Sequence, residues 1–238
     1  MNVRMGLIRK RANWTDEDFR SYWLNQHGPL AAGARGLRSY WQNVVIDRSQ
    51  RGIDFMRGPW DFDGFSQLWF DDERRPNQPF GDGELETRLI ADEKYFLDDL
   101  HIITARQHEV IATPQSVRSQ LLKRISTLCR KTDVTEDDFR LQWKVHADFV
   151  RQMPGIKGYR QNVVVQRELV KGRLCSYEQL PIDGIVELWF EDPATLEAAF
   201  ASPPGQKTMA HAKTFLSEIT AFLVQERRVN IKRTANRD

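Results

Sequence analysis

The chain has 238 residues, and its 35 lysines and arginines nearly balance its 33 aspartates and glutamates, which leaves a formal net charge of +2. This balance argues against a protein that binds nucleic acid through a dense basic face, because phosphate binding depends on clustered lysines and arginines. Seven tryptophans and an apolar fraction of 40% exclude a disordered chain. No apolar run approaches the length of a membrane span or of a signal-peptide core, so the sequence predicts a cytoplasmic protein with no membrane contact.

The sequence contains an internal repeat with an offset of about 120 residues. Four blocks occur twice in the same order, and they begin at Thr15 and Thr135, at Gly36 and Gly155, at Asp63 and Asp183, and at Phe96 and Phe215. The repeat predicts a tandem duplication of one module. Residues 1–112 are named module 1 and residues 120–238 module 2. The polar segment 113–119, which contains Pro114, is the predicted linker.

In chain order, each module reads as strand, helix, strand, strand, helix, strand. The predicted strands cover residues 6–11, 37–47, 64–70 and 102–107 in module 1, and residues 126–131, 156–166, 184–190 and 221–226 in module 2. Thr15 and Thr135 each precede three acidic residues, a pattern typical of a helix N-cap and of a first turn that favours negative charge. The second helix carries Leu89 and Phe96 in module 1 and Phe215 in module 2.

This element order is that of the ferredoxin-like fold, in which both helices cover one face of a four-stranded sheet. The other face of the sheet stays bare unless a second sheet covers it. We therefore predict an α+β fold in which two ferredoxin-like β-α-β-β-α-β modules pack sheet to sheet as a pseudo-symmetric dimeric α+β barrel.

Several motifs resemble the EthD-like branch of the dimeric α+β barrel superfamily: an F-x-x-x-W helix that ends on a histidine, a QNVV strand, and DGIVELWFED followed by SPPGQ. The resemblance extends over both modules. It implies a barrel without a cofactor, in which small aromatic or lactone molecules bind within each module. Relatives include muconolactone-type methylisomerases and polyketide decarboxylases or cyclases, and neighbouring branches include cofactor-independent monooxygenases and haem enzymes. The fold alone therefore does not fix the reaction.

Two histidines are the first candidates for catalysis. His27 lies four residues after Trp23 and His146 lies three residues after Trp143, so each histidine stays near the helix face of its tryptophan. An imidazole in a half-apolar pocket can have a pKa near neutrality, as general acid–base catalysis requires. The resemblance adds that the histidine of methylisomerase relatives falls on these positions. The alternative is a helix-end histidine that bonds a backbone carbonyl.

Glu187 is the third catalytic candidate, because a carboxylate in an apolar strand is costly unless it is paired or lines a cavity. Desolvation would raise its pKa and allow it to shuttle a proton. The alternative is a structural ion pair across the two sheets. Module 1 has Gln67 at this position, and Asp92 of module 1 corresponds to His211 of module 2, so the modules differ chemically. For Asp92 and His211, an exposed position on the second helix or a place in its N-terminal turn is favoured over catalysis.

A further set of side chains is predicted to stack on an aromatic ligand or to orient its carbonyl group. The predicted substrate-binding residues are Trp23, Tyr40, Asn43, Trp69, Trp143, Tyr159, Asn162, Trp189 and His211. For each aromatic residue the alternative is core packing, because large aromatic side chains dominate cores. Strand alternation places Tyr40 and Asn43 on opposite faces, so both line one pocket only if the strand has a bulge.

The residues and the resemblance together predict an enzyme that acts on a small aromatic or lactone molecule without a cofactor or a metal. The leading hypothesis is a lyase, a decarboxylase of a hydroxylated aromatic or polyketide-like acid, that uses histidine and glutamate as general acid and base. Three alternatives stay open: an isomerase of a lactone or aromatic catabolite, a non-catalytic protein that binds a small molecule, and a cofactor-independent monooxygenase. Pairing of two chains into a homodimer is also left open.

Overall fold

The computed structural model describes residues 1–71, 83–114 and 116–231, so residue 115 of the predicted linker lies outside the described residues. Module 1 contains β1 (Asn2–Lys10), α1 (Asp16–Tyr22), a π-helical turn (Trp23–His27), α2 (Gly28–Ala31), β2 (Leu37–Asp47), β3 (Gly64–Phe70), α3 (Gly83–Phe96) and β4 (Leu97–Ile111). Module 2 contains β5 (Leu122–Arg130), α4 (Glu136–Val150), β6 (Gly158–Val170), β7 (Arg173–Leu174), β8 (Gly184–Phe190), α5 (Pro193–Ala201), α6 (Pro203–Phe215) and β9 (Leu216–Arg228). The predicted order is confirmed in both modules. None of the described helices is long and apolar enough to cross a membrane.

Eight of the described strands form a closed barrel in the order β4-β1-β3-β2-β9-β5-β8-β6, and β6 pairs with β4 to close it. Each module supplies four neighbouring strands, so the predicted dimeric α+β barrel is confirmed. The two sheets also join at their edges, through β2 with β9 and β4 with β6. Strands β4 and β9 extend past their predicted ends because His108 pairs with Gln161, and Arg228 with Trp41, across the module boundary.

The alternation of side chains along each strand creates two kinds of compartment. Ile185 points into the barrel, where it packs with Phe65 and Phe222 in an apolar core. The next residue, Val186, and Leu188 further along the same strand point outward and line the space beneath the helices of module 2. Two residues that are adjacent on one strand therefore belong to different compartments.

A π-helical turn compensates for one extra residue in the first helix of module 1. In module 2, α4 runs without interruption over Glu136–Val150, whereas the corresponding helix of module 1 widens into the π turn at Trp23–His27. Such a turn absorbs an inserted residue while the helix continues in the same direction. His27 and His146 consequently occupy equivalent positions, although their spacings from the preceding tryptophan differ by one residue.

Each of these helices places a tryptophan directly over a glycine of the sheet. Trp23 and Trp143 are almost completely buried. Gly64 and Gly184 lie so close beneath the two indole rings that a methyl group on either glycine would overlap ring atoms. The glycine of each repeated Asp-Gly pair is therefore required for close packing between helix and sheet.

Gly184→Ala is expected to destabilise the protein by about 1–3 kcal/mol, because the added methyl group overpacks against the Trp143 ring. Equilibrium unfolding in urea measures this change. Gly83→Ala is the matched control: no described atom lies within 4 Å of its added methyl group. Its free energy of unfolding should change by less than about 0.5 kcal/mol. Equal stability of Gly184→Ala and the wild type would contradict this packing.

The predicted linker is anchored to the barrel. Arg118 lies in a short 3₁₀ helix and is buried, and its Nε and Nη2 each donate a hydrogen bond of 2.6 Å to the carboxylate of Glu226. The guanidinium also stacks on the rings of Trp41 and Trp189, at 4.3 and 5.1 Å from their centroids. The connection thus contacts tryptophans of both modules, while the module boundaries at residues 112 and 120 stay a prediction.

Candidate functional site

Each module encloses a cavity between its sheet and its helices. The cavity of module 1, cavity 1, has a volume of about 40 Å³, and that of module 2, cavity 2, has about 50 Å³. Cavity 1 is lined by residues that include Arg4, His27, Tyr40, Ser66, Leu89 and Lys171. Cavity 2 is lined by residues that include Arg124, Trp143, His146, Tyr159, Phe200 and Met209. Because a cavity that holds benzene measures about 150 Å³, an aromatic ligand requires the lining side chains to move.

Module 1 places a histidine–aspartate pair at the wall of cavity 1. His27 Nδ1 lies 2.7 Å from Asp92 Oδ2, and the Tyr22 hydroxyl donates to Asp92 Oδ1 at 2.6 Å. Burial opposes ionisation of Asp92, but the hydrogen bonds from His27 and Tyr22 hold its pKa below the usual value. The ionised carboxylate keeps a proton on His27 Nδ1 and leaves Nε2 for a ligand. The exposed position favoured for Asp92 is wrong, since only 13% of its side chain is exposed.

Module 2 has two histidines where module 1 has the histidine–aspartate pair. His146 Nδ1 lies 3.0 Å from His211 Nδ1, and the two rings stack. Burial and the neighbouring His211 lower the pKa of His146 to about 3. Burial also lowers the pKa of His211. At neutral pH these rings are uncharged, and they form a weaker base than an imidazole oriented by a carboxylate.

Cavity 1 also contains two cations, and both are paired with carboxylates. Arg4 forms a two-point ion pair with Glu168, in which Nη2 and Oε2 are 2.8 Å apart. Lys171 pairs with Glu93. Glu168 lies in β6 and Lys171 directly follows this strand. Module 2 therefore completes the wall of cavity 1, and Ile53 of module 1 contributes to cavity 2 in the same way.

The two predicted tyrosines occupy equivalent positions in the cavities. Tyr40 lines cavity 1 and Tyr159 lines cavity 2. The side-chain amides of Gln42 and Gln161 donate to the tyrosine hydroxyls at 3.1 and 2.7 Å. Burial raises the pKa of both tyrosines. Each hydroxyl stays protonated at neutral pH and is available as a donor to a ligand oxygen.

The remaining predicted residues lie inside the barrel, on the other side of the sheets from the histidines. They are Asn43, Trp69, Asn162, Glu187 and Trp189. Asn162 Nδ2 donates to Glu187 Oε1 at 2.8 Å, and Gln107 Nε2 donates to Asn162 Oδ1 at 2.8 Å. The sheet of module 2 separates Glu187 from His146, so the structure does not bring these two catalytic candidates together.

Glu187 takes part in a buried ionic network centred on Lys123. Lys123 Nζ lies 2.7 Å from Glu187 Oε2 and 2.7 Å from Glu226 Oε2. Gln67 of module 1 donates to Glu187 Oε1 at 2.9 Å. Burial alone would raise the pKa of Glu187, but the charges of Lys123 and Arg160 outweigh it and lower the pKa. The raised pKa expected for Glu187 is wrong in sign. The ion pair of Glu187 with Lys123 lies within module 2 and not across the two sheets, and the hydrogen bond from Gln67 is its contact with module 1.

The free energy of unfolding is expected to decrease as the pH falls from about 5 to about 2, because Glu226 is ionised in the folded protein. Burial opposes this ionisation, yet Lys123 and Arg118 lower the pKa of Glu226 from 4.5 to about 2. A carboxylate with a depressed folded pKa stabilises above its unfolded pKa, and this stabilisation is lost as the pH falls through the folded pKa. Urea unfolding across this range should show a shallower decrease for Glu226→Gln. An identical slope in the variant would contradict the assignment.

Arg4, Lys123 and Arg124 are site residues that were not predicted from the sequence. The strands were predicted to begin at residues 6 and 126, which left these side chains outside the sheet, whereas β1 begins at Asn2 and β5 at Leu122. Arg4 and Arg124 occupy corresponding positions of the repeat. These two arginines could have been identified from the repeat, because a charged residue stands at the same place in both copies of an apolar strand.

The EthD domain family matches residues 11–100 and 131–218, one match in each module. The chain belongs to the EthD family. None of the curated proteins matches it. Among solved structures, an anthrone oxidase-like protein is 9% identical and covers 98% of this chain and 96% of that chain, with a TM-score of 0.66. An ethyl tert-butyl ether D (EthD) family protein from Bacillus halodurans is 16% identical and covers 43% of this chain and 95% of that chain, with a TM-score of 0.34. The first likeness shows a shared fold over nearly the whole chain.

The two EthD modules are equipped for different chemistry. Cavity 1 has an imidazole with a carboxylate partner and a buried arginine that is paired with Glu168, whereas cavity 2 has a neutral histidine pair and a buried arginine that bonds only uncharged acceptors among the described residues. Within the described residues, no group of three or more histidines, cysteines, aspartates or glutamates is arranged to hold a metal ion. The arrangement in module 1 supports proton transfer to or from a small molecule.

Proposed function

We propose that this EthD protein is a cofactor-free lyase that decarboxylates a hydroxylated aromatic acid in cavity 1. The observation that carries the proposal is the His27–Asp92 pair at the cavity wall. The carboxylate orients the imidazole, which suits a general acid and base. The Tyr40 hydroxyl in the same cavity is a further donor for a phenolic or carbonyl oxygen of the substrate.

The reaction consumes one proton and releases carbon dioxide. His27 in its imidazolium form transfers the Nε2 proton to the ring carbon that bears the carboxylate, while a phenolic oxygen on the ring supplies electron density. The bond from this carbon to the carboxylate then breaks, its electron pair restores the aromatic ring, and carbon dioxide leaves. His27 regains a proton from hydronium in the solvent, which is the one proton consumed, and Asp92 stays ionised throughout, so atoms and charge balance.

The walls of cavity 1 favour this step over tight binding of the acid. Arg4 and Lys171 are already paired with Glu168 and Glu93, so they offer a substrate carboxylate less attraction than unpaired cations would. Apolar side chains such as Leu89 line much of the remaining surface. A carboxylate placed there loses hydration that carbon dioxide does not need, which lowers the barrier to decarboxylation.

The test is the release of carbon dioxide from 2,4-dihydroxybenzoate, and from the larger 1-hydroxy-2-naphthoate, by the full chain with and without dioxygen. We expect equal rates under both conditions and one resorcinol formed for each 2,4-dihydroxybenzoate consumed. Turnover without carbon dioxide release would support an isomerase. Binding of both acids with no product would support a non-catalytic binding protein.

A cofactor-independent monooxygenase is the second candidate, because it would use the same His27–Asp92 pair to deprotonate a phenol before reaction with dioxygen. A solved protein of the same fold is described as anthrone oxidase-like. The activity should therefore be measured with and without dioxygen. Activity that disappears under anaerobic conditions would favour the monooxygenase and exclude the lyase. A cytoplasmic location, a homodimer and a lactone substrate stay predictions.

A further inference from the structure

A buried arginine lines cavity 2 without a carboxylate partner among the described residues. Arg124 is 3% exposed, and its Nε donates to Ser126 Oγ at 3.2 Å. Its Nη1 donates to the backbone carbonyl of Arg51 at 2.9 Å, and the guanidinium lies 4.8 Å from the centroid of the Phe200 ring. None of these groups carries a negative charge, and burial lowers the pKa of Arg124 to about 9. The guanidinium is therefore still charged at neutral pH, and burying it without a counter-ion is costly.

The corresponding arginine of module 1 shows how the fold satisfies this charge. Arg4 forms two hydrogen bonds to the carboxylate of Glu168, which reaches it from the other module. By the alignment of Asn43 with Asn162, the counterpart of Glu168 in module 1 is Ser49, which has no charge. The duplicated fold thus supplies a counter-ion in cavity 1 and omits it in cavity 2.

The rest of cavity 2 is suited to an apolar molecule. Its lining includes the side chains of Leu128, Trp143, Val150, Met153, Leu188 and Met209. The two methionines are unbranched and flexible, so they allow the small cavity to widen around a ligand. The Tyr159 hydroxyl adds a donor, and His146 is neutral at pH 7, so Arg124 carries the positive charge among the described lining residues.

We propose that cavity 2 binds a small monocarboxylate with an apolar or aromatic body, and that the carboxylate pairs with Arg124. The hydrogen bonds that Arg124 donates to residues 1–71, 83–114 and 116–231 use Nε and Nη1, and the guanidinium carries further N–H groups at Nη1 and Nη2. These neighbouring donors match the two oxygens of a carboxylate. The site is separate from cavity 1, and this inference does not rest on the proposed lyase activity.

Isothermal titration calorimetry of the full chain with 2-naphthoate and with uncharged 2-naphthamide tests the proposal. The wild type should bind 2-naphthoate at least about 10-fold more tightly, because only the acid forms a charge-assisted pair with Arg124. Arg124→Met should remove this preference and Arg124→Lys should retain part of it. His27→Ala should keep it, which distinguishes cavity 2 from cavity 1. Equal affinities in the wild type, no binding of either probe, or an unchanged preference in Arg124→Met would overturn the proposal.

The thermal stability of Arg124→Met separates a binding role from a structural one. Methionine is unbranched and apolar, and it replaces a buried charge that has no counter-ion among the described residues. The midpoint of unfolding should therefore stay the same or rise. 2-Naphthoate should raise the midpoint of the wild type but not that of the variant. A variant that is clearly less stable than the wild type would show that Arg124 serves the fold through Ser126 and the Arg51 carbonyl, and would overturn the binding role.

Discussion

Decarboxylation of 2,4-dihydroxybenzoate is expected to slow at least ~100-fold in His27→Ala, because the variant has no imidazole at the wall of cavity 1 to deliver the proton. Asp92→Asn retains the imidazole but removes its ionised partner, so kcat should fall about 10–100-fold. Steady-state kinetics across a pH series measure both effects.

The matched control for these variants is the corresponding histidine of module 2. His146→Ala should reduce the rate far less than His27→Ala, because the neutral His146–His211 pair has no carboxylate to orient it or to stabilise its protonated form. Tyr22→Phe should give an intermediate loss, since it removes one of the hydrogen bonds that keep Asp92 ionised. A large loss in His146→Ala with a normal rate in His27→Ala would place the reaction in module 2 and refute the assignment.

Removal of Lys123 is expected to be the most destabilising single change inside the barrel. Lys123→Met leaves Glu187 without its buried cation and weakens the pairing of Glu226, which keeps Arg118 as a partner. Breaking a buried pair in this way typically costs about 3–5 kcal/mol. The double variant Lys123→Met/Glu187→Gln should recover much of this loss. The glutamine is uncharged, and its amide can still bond Asn162 and Gln67.

An exposed ion pair provides the control for the Lys123 experiment. Lys157 lies 2.8 Å from Glu191 on the surface, and Lys157→Met should change the free energy of unfolding by less than about 0.5 kcal/mol. The double variant should also retain decarboxylation, because Glu187 faces the barrel interior and not a cavity with a histidine. Loss of turnover in a folded Lys123→Met/Glu187→Gln protein would instead support the catalytic role first predicted for Glu187.

The sequence was sufficient to predict the fold because each local signal occurs twice. Thr15 and Thr135 were predicted to be N-caps, and each accepts a hydrogen bond from the backbone N–H three residues later. The replacement of Asp92 by His211 already showed that the modules differ. The structure shows what this replacement changes. The π turn puts His27 in the position equivalent to His146, so Asp92 lies beside His27 and His211 lies beside His146.

Contacts that cross between the modules could not be predicted from the pattern of either module. Glu168 neutralises Arg4 across the β4–β6 edge, and Lys123 of β5 is held by Asn43 and Gln67 of module 1. Such partners depend on how the two sheets close the barrel, and strand alternation gives only the face on which each side chain lies. Alternation correctly predicted opposite faces for Tyr40 and Asn43. The same rule, applied to β8, would have separated Glu187 from the helix side.

The most direct test of the central claim, that cavity 1 is the reaction site, is a crystal structure of the protein with bound resorcinol, the product expected from 2,4-dihydroxybenzoate. We expect density for the ring in cavity 1, with the carbon that received the proton within about 3.5 Å of His27 Nε2 and a phenolic oxygen near the Tyr40 hydroxyl. Resorcinol bound only in cavity 2 or inside the barrel would contradict it.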